Sequence, residues 1–179
     1  MLTLEIKEKE LYDEKNQTFL KSPKVTLQLE HSLVSISKWE SKHHKPFLKK
    51  DEKTPEELLD YIKCMTITQN VDDIVYSSLS SSEFSEITKY IEDPMTATTF
   101  SDTKKTGKNE IITSEIIYYM MVSLNIPFEC QKWHINRLLT LIKVCSEKNS
   151  PGKKMSKKEI MSNNAALNAA RRAALKTKG

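Results

Sequence analysis

Cys130 and His134 have the spacing in this sequence that comes closest to a metal site. Residues four apart share one face of a helix, and a thiolate with an imidazole is a common pair of zinc ligands. A zinc site needs three or four ligands, and the remaining cysteines and histidines have no matching spacing. We therefore interpret Cys130 as a buried thiol and His134 as a histidine at the edge of the core, and we expect no metal ion.

The other candidates for chemistry have simpler interpretations. His43 and His44 lie between two lysines in a polar stretch, which favours a titrating pair on the surface. Asp72 and Asp73 could supply hard oxygen ligands to a divalent cation, but acids at a helix start also stabilise its positive end. A cysteine nucleophile needs an oriented base and an anion hole, and no flanking motif indicates either. We expect no catalytic residue and no cofactor.

Composition excludes several classes of protein. The 179 residues include three glycines, too few and too scattered for a dinucleotide-binding fingerprint, a phosphate-binding loop or a nucleophile elbow. No apolar run approaches the 18 residues that span a membrane. The first ten residues alternate and carry acids, unlike a signal peptide, so we expect the chain to stay where it is made. Three widely spaced cysteines predict free thiols.

The charge is distributed unevenly along the chain. Residues 153–179 contain eight basic residues and one acid, a net charge of +7, and the whole chain is +4, which leaves −3 on residues 1–152. Such asymmetry is typical of a segment that meets an anionic partner: nucleic acid, a membrane surface, an acidic protein or a neighbouring copy. Lysine makes up 25 of the 28 basic residues and is a poor bidentate reader of bases, so nucleic acid is the less favoured partner.

Hydrophobic periodicity predicts an α+β chain that is mainly a helical bundle, with a small antiparallel β element at its N-terminus. Leu2, Leu4 and Ile6 alternate with polar residues, residues 25–30 alternate again, and residues 13–16 suit a turn. We assign residues 1–30 to this β-hairpin or small sheet, residues 31–149 to a helical body, and residues 150–179 to a linker followed by a basic, alanine-rich helix.

Helix-start signals and apolar stripes divide the body into helices. Thr54 followed by Pro55 predicts a capped helix start. The two most apolar helices, one beginning after Thr113 and one over residues 133–144, are expected to form a hairpin around which the others pack. In the tail, alanine pairs recur every four residues from 165 to 174, which predicts a helical docking arm of about 30 Å. The alternative is that this helix folds back and completes the bundle.

Several stretches together carry a resemblance to a known family. In order along the chain they read LEHSL (29–33), KWESK (38–42), KPFL (45–48), YIKCMT (61–66), IEDPMTATTF (91–100), NIPFECQKWH (125–134) and MSNNAALNAARR (161–172). The pattern resembles a family of tailed-bacteriophage proteins described as tail assembly chaperones or tail morphogenesis proteins, and it covers roughly residues 26–179. His44 departs from it, because the family pattern has a tryptophan before Lys45.

The resemblance implies a non-enzymatic protein in the cytoplasm of the infected bacterial host. It would bind the long helical tape-measure protein, or other tail proteins, and keep its client soluble until tail-tube subunits polymerise around it. Two alternatives stay open: a structural protein of the tail or neck that remains in the virion, and a nucleic-acid-binding protein that uses the basic helix. A homo-oligomer is a further possibility, and no membrane partner is expected.

The residues that we expect to bind a partner are of two kinds. Apolar side chains at helical spacing could line a groove for a client helix, although each could equally belong to the core. Basic side chains of the tail could meet an anionic surface. The first set consists of Trp39, Tyr118 and Met121, and the second of Lys153, Lys154, Lys157, Lys158, Arg171 and Arg172.

Overall fold

The fold is taken from a computed structural model of the chain. It describes residues 1–13, 17–49, 51–100, 111–149 and 157–175, without the side chains of residues 13 and 157–160. The expected linker and the lysines at 153 and 154 therefore lie outside the described residues, as do all residues from 101 to 110. Within the described part the fold is α+β, as the sequence predicts, with an N-terminal β element followed by helices.

The N-terminal strands form two antiparallel pairs, one inside the other along the chain. Strand β1 (Leu2–Ile6) pairs with β4 (Val25–Leu29), and β2 (Lys9–Asp13) pairs with β3 (Thr18–Ser22). Side chains alternate between faces along a strand, so every second residue of β1 and β4 can enter the core. Leu4, Ile6, Leu27 and Leu29 do so and are buried.

Seven α-helices and one 3-10 helix follow in the described ranges. Their bounds are α1 Leu33–His43, α2 Pro55–Met65, α3 Asp73–Ser77, α4 Ser81–Glu92, α5 Ser114–Ser123, the 3-10 helix Phe128–Lys132, α6 Ile135–Asn149 and α7 Lys157–Leu175. Among these described helices, none is both long and apolar enough to cross a membrane.

Capping explains where two of the helices begin. Thr54 accepts from the Glu57 amide and the Glu57 side chain accepts from the Thr54 amide, which is the reciprocal capping box expected before Pro55. Ser80 and Glu83 make the same arrangement before α4. Each box satisfies amide groups that a helix start leaves without partners.

Helix α1 is at the centre of the helical packing. It contacts α2, α5 and the 3-10 helix, and its residues Leu33, Ile36 and Trp39 are buried. The prediction that the two most apolar helices form a central hairpin was wrong. Helix α5 packs most closely on α1, and α6 buries a single stripe, which consists of Ile135, Leu138 and Ile142.

Residues 1–145 form one compact unit, and residues 146–179 form a second. In the first unit, strands and helices share one hydrophobic core: Leu27 and Leu29 of β4 belong to the same cluster as Ile117 of α5 and Leu138 of α6. The second unit contains α7.

Candidate partner-binding surfaces

The pair that suggested a metal site is used for structure instead. Cys130 is buried in the 3-10 helix, and the buried His134 lies just before α6. The Nε2 of His134 is 3.0 Å from the Tyr90 carbonyl oxygen, and its Nδ1 is 3.3 Å from the Asn136 amide nitrogen. In the described ranges, no group of three or more cysteines, histidines or acids is placed to hold a metal ion.

A buried polar network joins the strands to three helical segments. His31, directly after β4, hydrogen bonds the Tyr61 hydroxyl of α2, and its ring meets that of His134 edge-on at 5.0 Å. The Tyr90 hydroxyl of α4 donates to a Glu30 carboxylate oxygen at 2.5 Å. Burial, followed by the nearby His134, lowers the pKa of His31 to about 3, so this imidazole is neutral at pH 7.

Burial in the same network also shifts the pKa values of its other titratable groups. Burial lowers the pKa of His134 and raises the pKa of Tyr61 above their ordinary values. Burial, then the hydrogen bond to Glu30, raises the pKa of Tyr90. Each of these shifts favours the uncharged form of the group, because a low-dielectric environment disfavours an unpaired charge. The network is therefore a packing element of the core.

The buried carboxylate of Glu40, in α1, holds two other backbone segments in place. Glu40 accepts from the Phe47 amide and from the Ser114 amide, both at 2.8 Å. The first bond holds the chain after α1, and the second holds the start of α5. Neither contact has a sequence signal: Phe47 lies beyond the end of α1, and Ser114 is 74 residues from Glu40 along the chain, so both contacts depend on the tertiary fold.

Two of the predicted groove residues lie in the core, which corrects the expectation that they line a surface groove. Trp39 is 1% exposed and its indole nitrogen donates to the Glu57 carbonyl at 3.0 Å. Met121 is fully buried on the face of α5 that meets α1. Both lie on the inner faces of their helices, where spacing places core residues as readily as groove residues.

Tyr118, the third predicted groove residue, is half-buried at the edge of an exposed apolar surface on the outer side of α5. Its hydroxyl donates to the Gln131 side chain at 2.9 Å, and its ring centre is 6.4 Å from that of Phe128. Tyr119, Val122 and Phe128 are 70%, 58% and 52% exposed. We call Tyr118, Tyr119, Val122 and Phe128 the α5 surface.

A second exposed apolar group lies on the β2–β3 hairpin. Tyr12 and Phe19 face each other across the two strands, with ring centres 5.1 Å apart, and Leu20, on the opposite face of the hairpin, is also exposed. Phe19 is 71% exposed. The aromatic pair stabilises the hairpin as a cross-strand contact does and also leaves an apolar face in water.

Helix α7 has every described side chain, from residue 161 to 175, exposed. Arg171 and Arg172 are among them, so these two predicted partner-binding residues are accessible. Lys157 and Lys158 lie in the first turn, where the backbone alone is described, and Lys153 and Lys154 lie outside the described residues. Large apolar side chains are exposed on this helix as well, at Met161, Leu167 and Leu175.

Sequence reasoning missed Val122 and Phe128 and favoured the core for Tyr119, although part of the signal was present. Ile117 and Met121 are four apart and buried, whereas Tyr119 and Val122 are three apart on the other side of the same helix. Seven consecutive apolar residues from 116 to 122 hide this division, because an uninterrupted run does not reveal which face is inside.

Comparison with family models, with curated proteins and with solved structures finds no match to this chain.

Proposed function

We propose that this protein is a non-enzymatic assembly factor of a bacteriophage tail, which binds the helical tape-measure protein in the cytoplasm of the infected host. Two kinds of support come together. The motifs between residues 29 and 172 resemble the tail assembly chaperone family, and that resemblance implies a tape-measure protein as the client. The α5 surface is the main structural support for a binding role, because it exposes aromatic and aliphatic side chains on a folded body.

The α5 surface has the chemistry to hold the apolar stripe of another helix. Tyr119 and Val122 present a ridge along α5, and the Phe128 ring stands beside Tyr118 at the edge of the 3-10 helix. An amphipathic client helix placed along this ridge would insert side chains at every third or fourth position. Burying one exposed side chain of this size contributes roughly 1.5–3 kcal/mol, which suits repeated, reversible sites along a long client.

The body behind the surface favours binding without a large rearrangement. Ile117 and Met121, on the inner face of α5, are fully buried against the core, and the Ser114 amide at the start of the helix is held by Glu40. A rigid helix loses little conformational entropy when its outer side chains are covered, and affinity rises accordingly.

Co-expression of the full chain with the tape-measure protein encoded by the same phage genome tests this function. The fraction of tape-measure protein that stays in the soluble extract is the measurement. The wild-type chain should raise that fraction, and the double variant Tyr119→Ser, Phe128→Ser should raise it much less.

The hairpin supplies a matched control for this experiment. The double variant Tyr12→Ser, Phe19→Ser also removes two exposed aromatic rings, but from the other apolar surface, and it should protect the client as the wild-type chain does. Equal loss in both doubles, or no protection by the wild-type chain, would contradict the proposal. Recovery of the protein in purified particles at fixed stoichiometry would identify it instead as a structural component of the virion.

A further inference from the structure

A cleft of about 220 Å³ lies at the start of α6. Lys132, Trp133 and Arg137 line it from this end of the helix, and Met95 lines it from the segment after α4. Pockets that enclose a whole small molecule have volumes of about 300–1,000 Å³. The smaller cleft therefore suits one end group of a ligand.

Lys132 and Arg137 bring two positive charges to the cleft. Neither forms an ion pair within the part of the chain that the structure describes. The Glu30 carboxylate also lines the cleft, but both of its oxygens are engaged, one by the Tyr90 hydroxyl and the other by the Met1 amino group at 2.9 Å. The cleft therefore has an excess of positive charge, which attracts an anion.

The Arg137 guanidinium has a defined position in the cleft. It lies over the Trp133 ring, with 4.2 Å between its central carbon and the ring centre. Stacking on an aromatic face leaves the N–H groups at the edge of a guanidinium available, and their fork matches the two oxygens of a planar carboxylate. Arg137 and Lys132 are both exposed, so the cleft opens to solvent and a ligand can enter.

The other surfaces of the cleft carry no charge. The Nε2 of His134 lies 3.0 Å from the Tyr90 carbonyl oxygen, which can only accept, so this nitrogen donates. The Nδ1 accepts from the Asn136 amide at 3.3 Å, and the imidazole is therefore neutral. Met95 and Trp133 add apolar surface beside it. The cleft thus combines an anion-binding part with an apolar part.

Hydrogen bonds hold the segment after α4 against the start of α6. The Asn136 side chain donates to the Ile91 carbonyl at 3.1 Å and to the Asp93 carbonyl at 2.8 Å. Met95 adopts a left-handed backbone with φ of 50°, and its amide donates to the Asp93 carboxylate at 2.7 Å. The cleft is therefore formed before a ligand arrives, which lowers the entropic cost of binding.

We propose that this cleft binds a carboxylate that carries a small apolar group, as the last residue of a peptide chain or a short branched-chain acid does. Arg137 holds the two carboxylate oxygens, and Lys132 adds a second positive charge. The apolar group lies against Met95 and Trp133. None of these residues belongs to the α5 surface, so the proposal does not depend on the proposed function.

Titration of the full chain with N-acetyl-leucine, followed by tryptophan fluorescence, tests the proposal. Trp39 is 1% exposed, so a change on addition of ligand reports on Trp133. We expect saturable binding that weakens as salt rises, because the charges are exposed to solvent. N-acetyl-leucinamide has the same side chain without the carboxylate, and it should bind more weakly by about tenfold or more.

Substitutions at the two cations identify the site. Arg137→Gln should weaken binding of N-acetyl-leucine by about tenfold or more, and Arg137→Lys, which retains the charge without the fork, should weaken it less. Lys132→Gln should also weaken binding. Lys24→Gln is the matched control, because it removes one charge from an exposed position between β3 and β4 and should bind as the wild type does. Thermal unfolding of all four variants should match the wild type, since each position is exposed.

Three results would overturn the proposal: equal affinity for N-acetyl-leucine and its amide, an affinity that Arg137→Gln leaves unchanged, or displacement of the ligand by an equal concentration of inorganic phosphate. The last would show a general anion site. Isovalerate, which has a carboxylate and a branched apolar group but no peptide bond, distinguishes the two sources of the ligand. Affinity equal to that of N-acetyl-leucine supports a free acid, and weaker binding supports the end of a peptide chain.

Discussion

Helix α1 is eleven residues long and buries five of its side chains, whereas α7 is nineteen residues long and has all of its described side chains in solvent. Helix α1 contains a tryptophan, three serines and two β-branched residues, which are mediocre helix formers, so its stability comes from packing. Helix α7 contains six alanines and two arginines, and its sequence favours a helix before anything is buried. One helix organises the core, and the other presents a surface.

The largest effect should come from removing the central side chain of α1. Trp39→Ala deletes a buried indole that stacks on His43 at 4.4 Å, and we expect a loss of roughly 3–5 kcal/mol in the free energy of unfolding. Urea unfolding followed by circular dichroism and by the fluorescence of Trp133 measures it. The comparison with α7 requires that Leu167→Ala changes the same quantity by less than about 0.5 kcal/mol. Similar losses in the two variants would contradict it.

Removing the carboxylate of α1 should have the next largest effect. Glu40→Ala leaves the Phe47 and Ser114 amides without their acceptor inside the protein, at a cost of about 3 kcal/mol. The free energy of unfolding should fall by that amount, and amide hydrogen exchange at the start of α5 should accelerate. Glu86→Ala, at an exposed position in the middle of α4, is the control, and it should leave both measurements near their wild-type values.

Acid should lower the free energy of unfolding of residues 1–145 and leave the helical content of α7 unchanged. His31 has a folded pKa of about 3 and an unfolded pKa near 6.5, so below pH 6.5 the unfolded chain binds the proton first. Stability is then full above pH 6.5 and declines as the pH falls toward 3, by about 2 kcal/mol at pH 5 from this residue.

Urea unfolding between pH 7 and pH 4.5 measures that decline. His31→Gln should flatten the pH dependence, and the exposed His44→Asn should retain it, since asparagine accepts the left-handed backbone at that position. A His31→Gln variant with the wild-type pH dependence would show that the buried imidazole does not cause the loss.

The smallest effect should be confined to α7. Ala170→Gly lowers the helix propensity of the arm by about 1 kcal/mol. Far-UV circular dichroism should lose helical signal, while the unfolding transition seen by tryptophan fluorescence stays in place, because Trp39 and Trp133 both belong to residues 1–145. A shift of the fluorescence transition would mean that α7 stabilises the body.

The parts of the fold that sequence predicts are those with local causes. Alternation identifies the strands, because β1 and β4 each put every second residue in the core. The start of α2 follows from Thr54 and Pro55, whose capping depends on residues within one turn. The same holds for α7, where alanine content alone favours a helix.

Other features depend on which face of each helix meets which neighbour. The spacing of Trp39 fits a core or a groove equally well, and burial against α2 decides between them. Because the apolar run in α5 is uninterrupted, the sequence does not indicate that Met121 is fully buried and Tyr119 exposed. Glu40 is a charged residue with a buried role, which no periodicity reveals.

The bond between the Ile135 amide and the His31 carbonyl, 2.7 Å long, ties the start of α6 to the end of the N-terminal strands. On a translating ribosome, the strands must therefore wait until the start of α6 has emerged before this contact can form, so the body closes only after most of its residues have been synthesised.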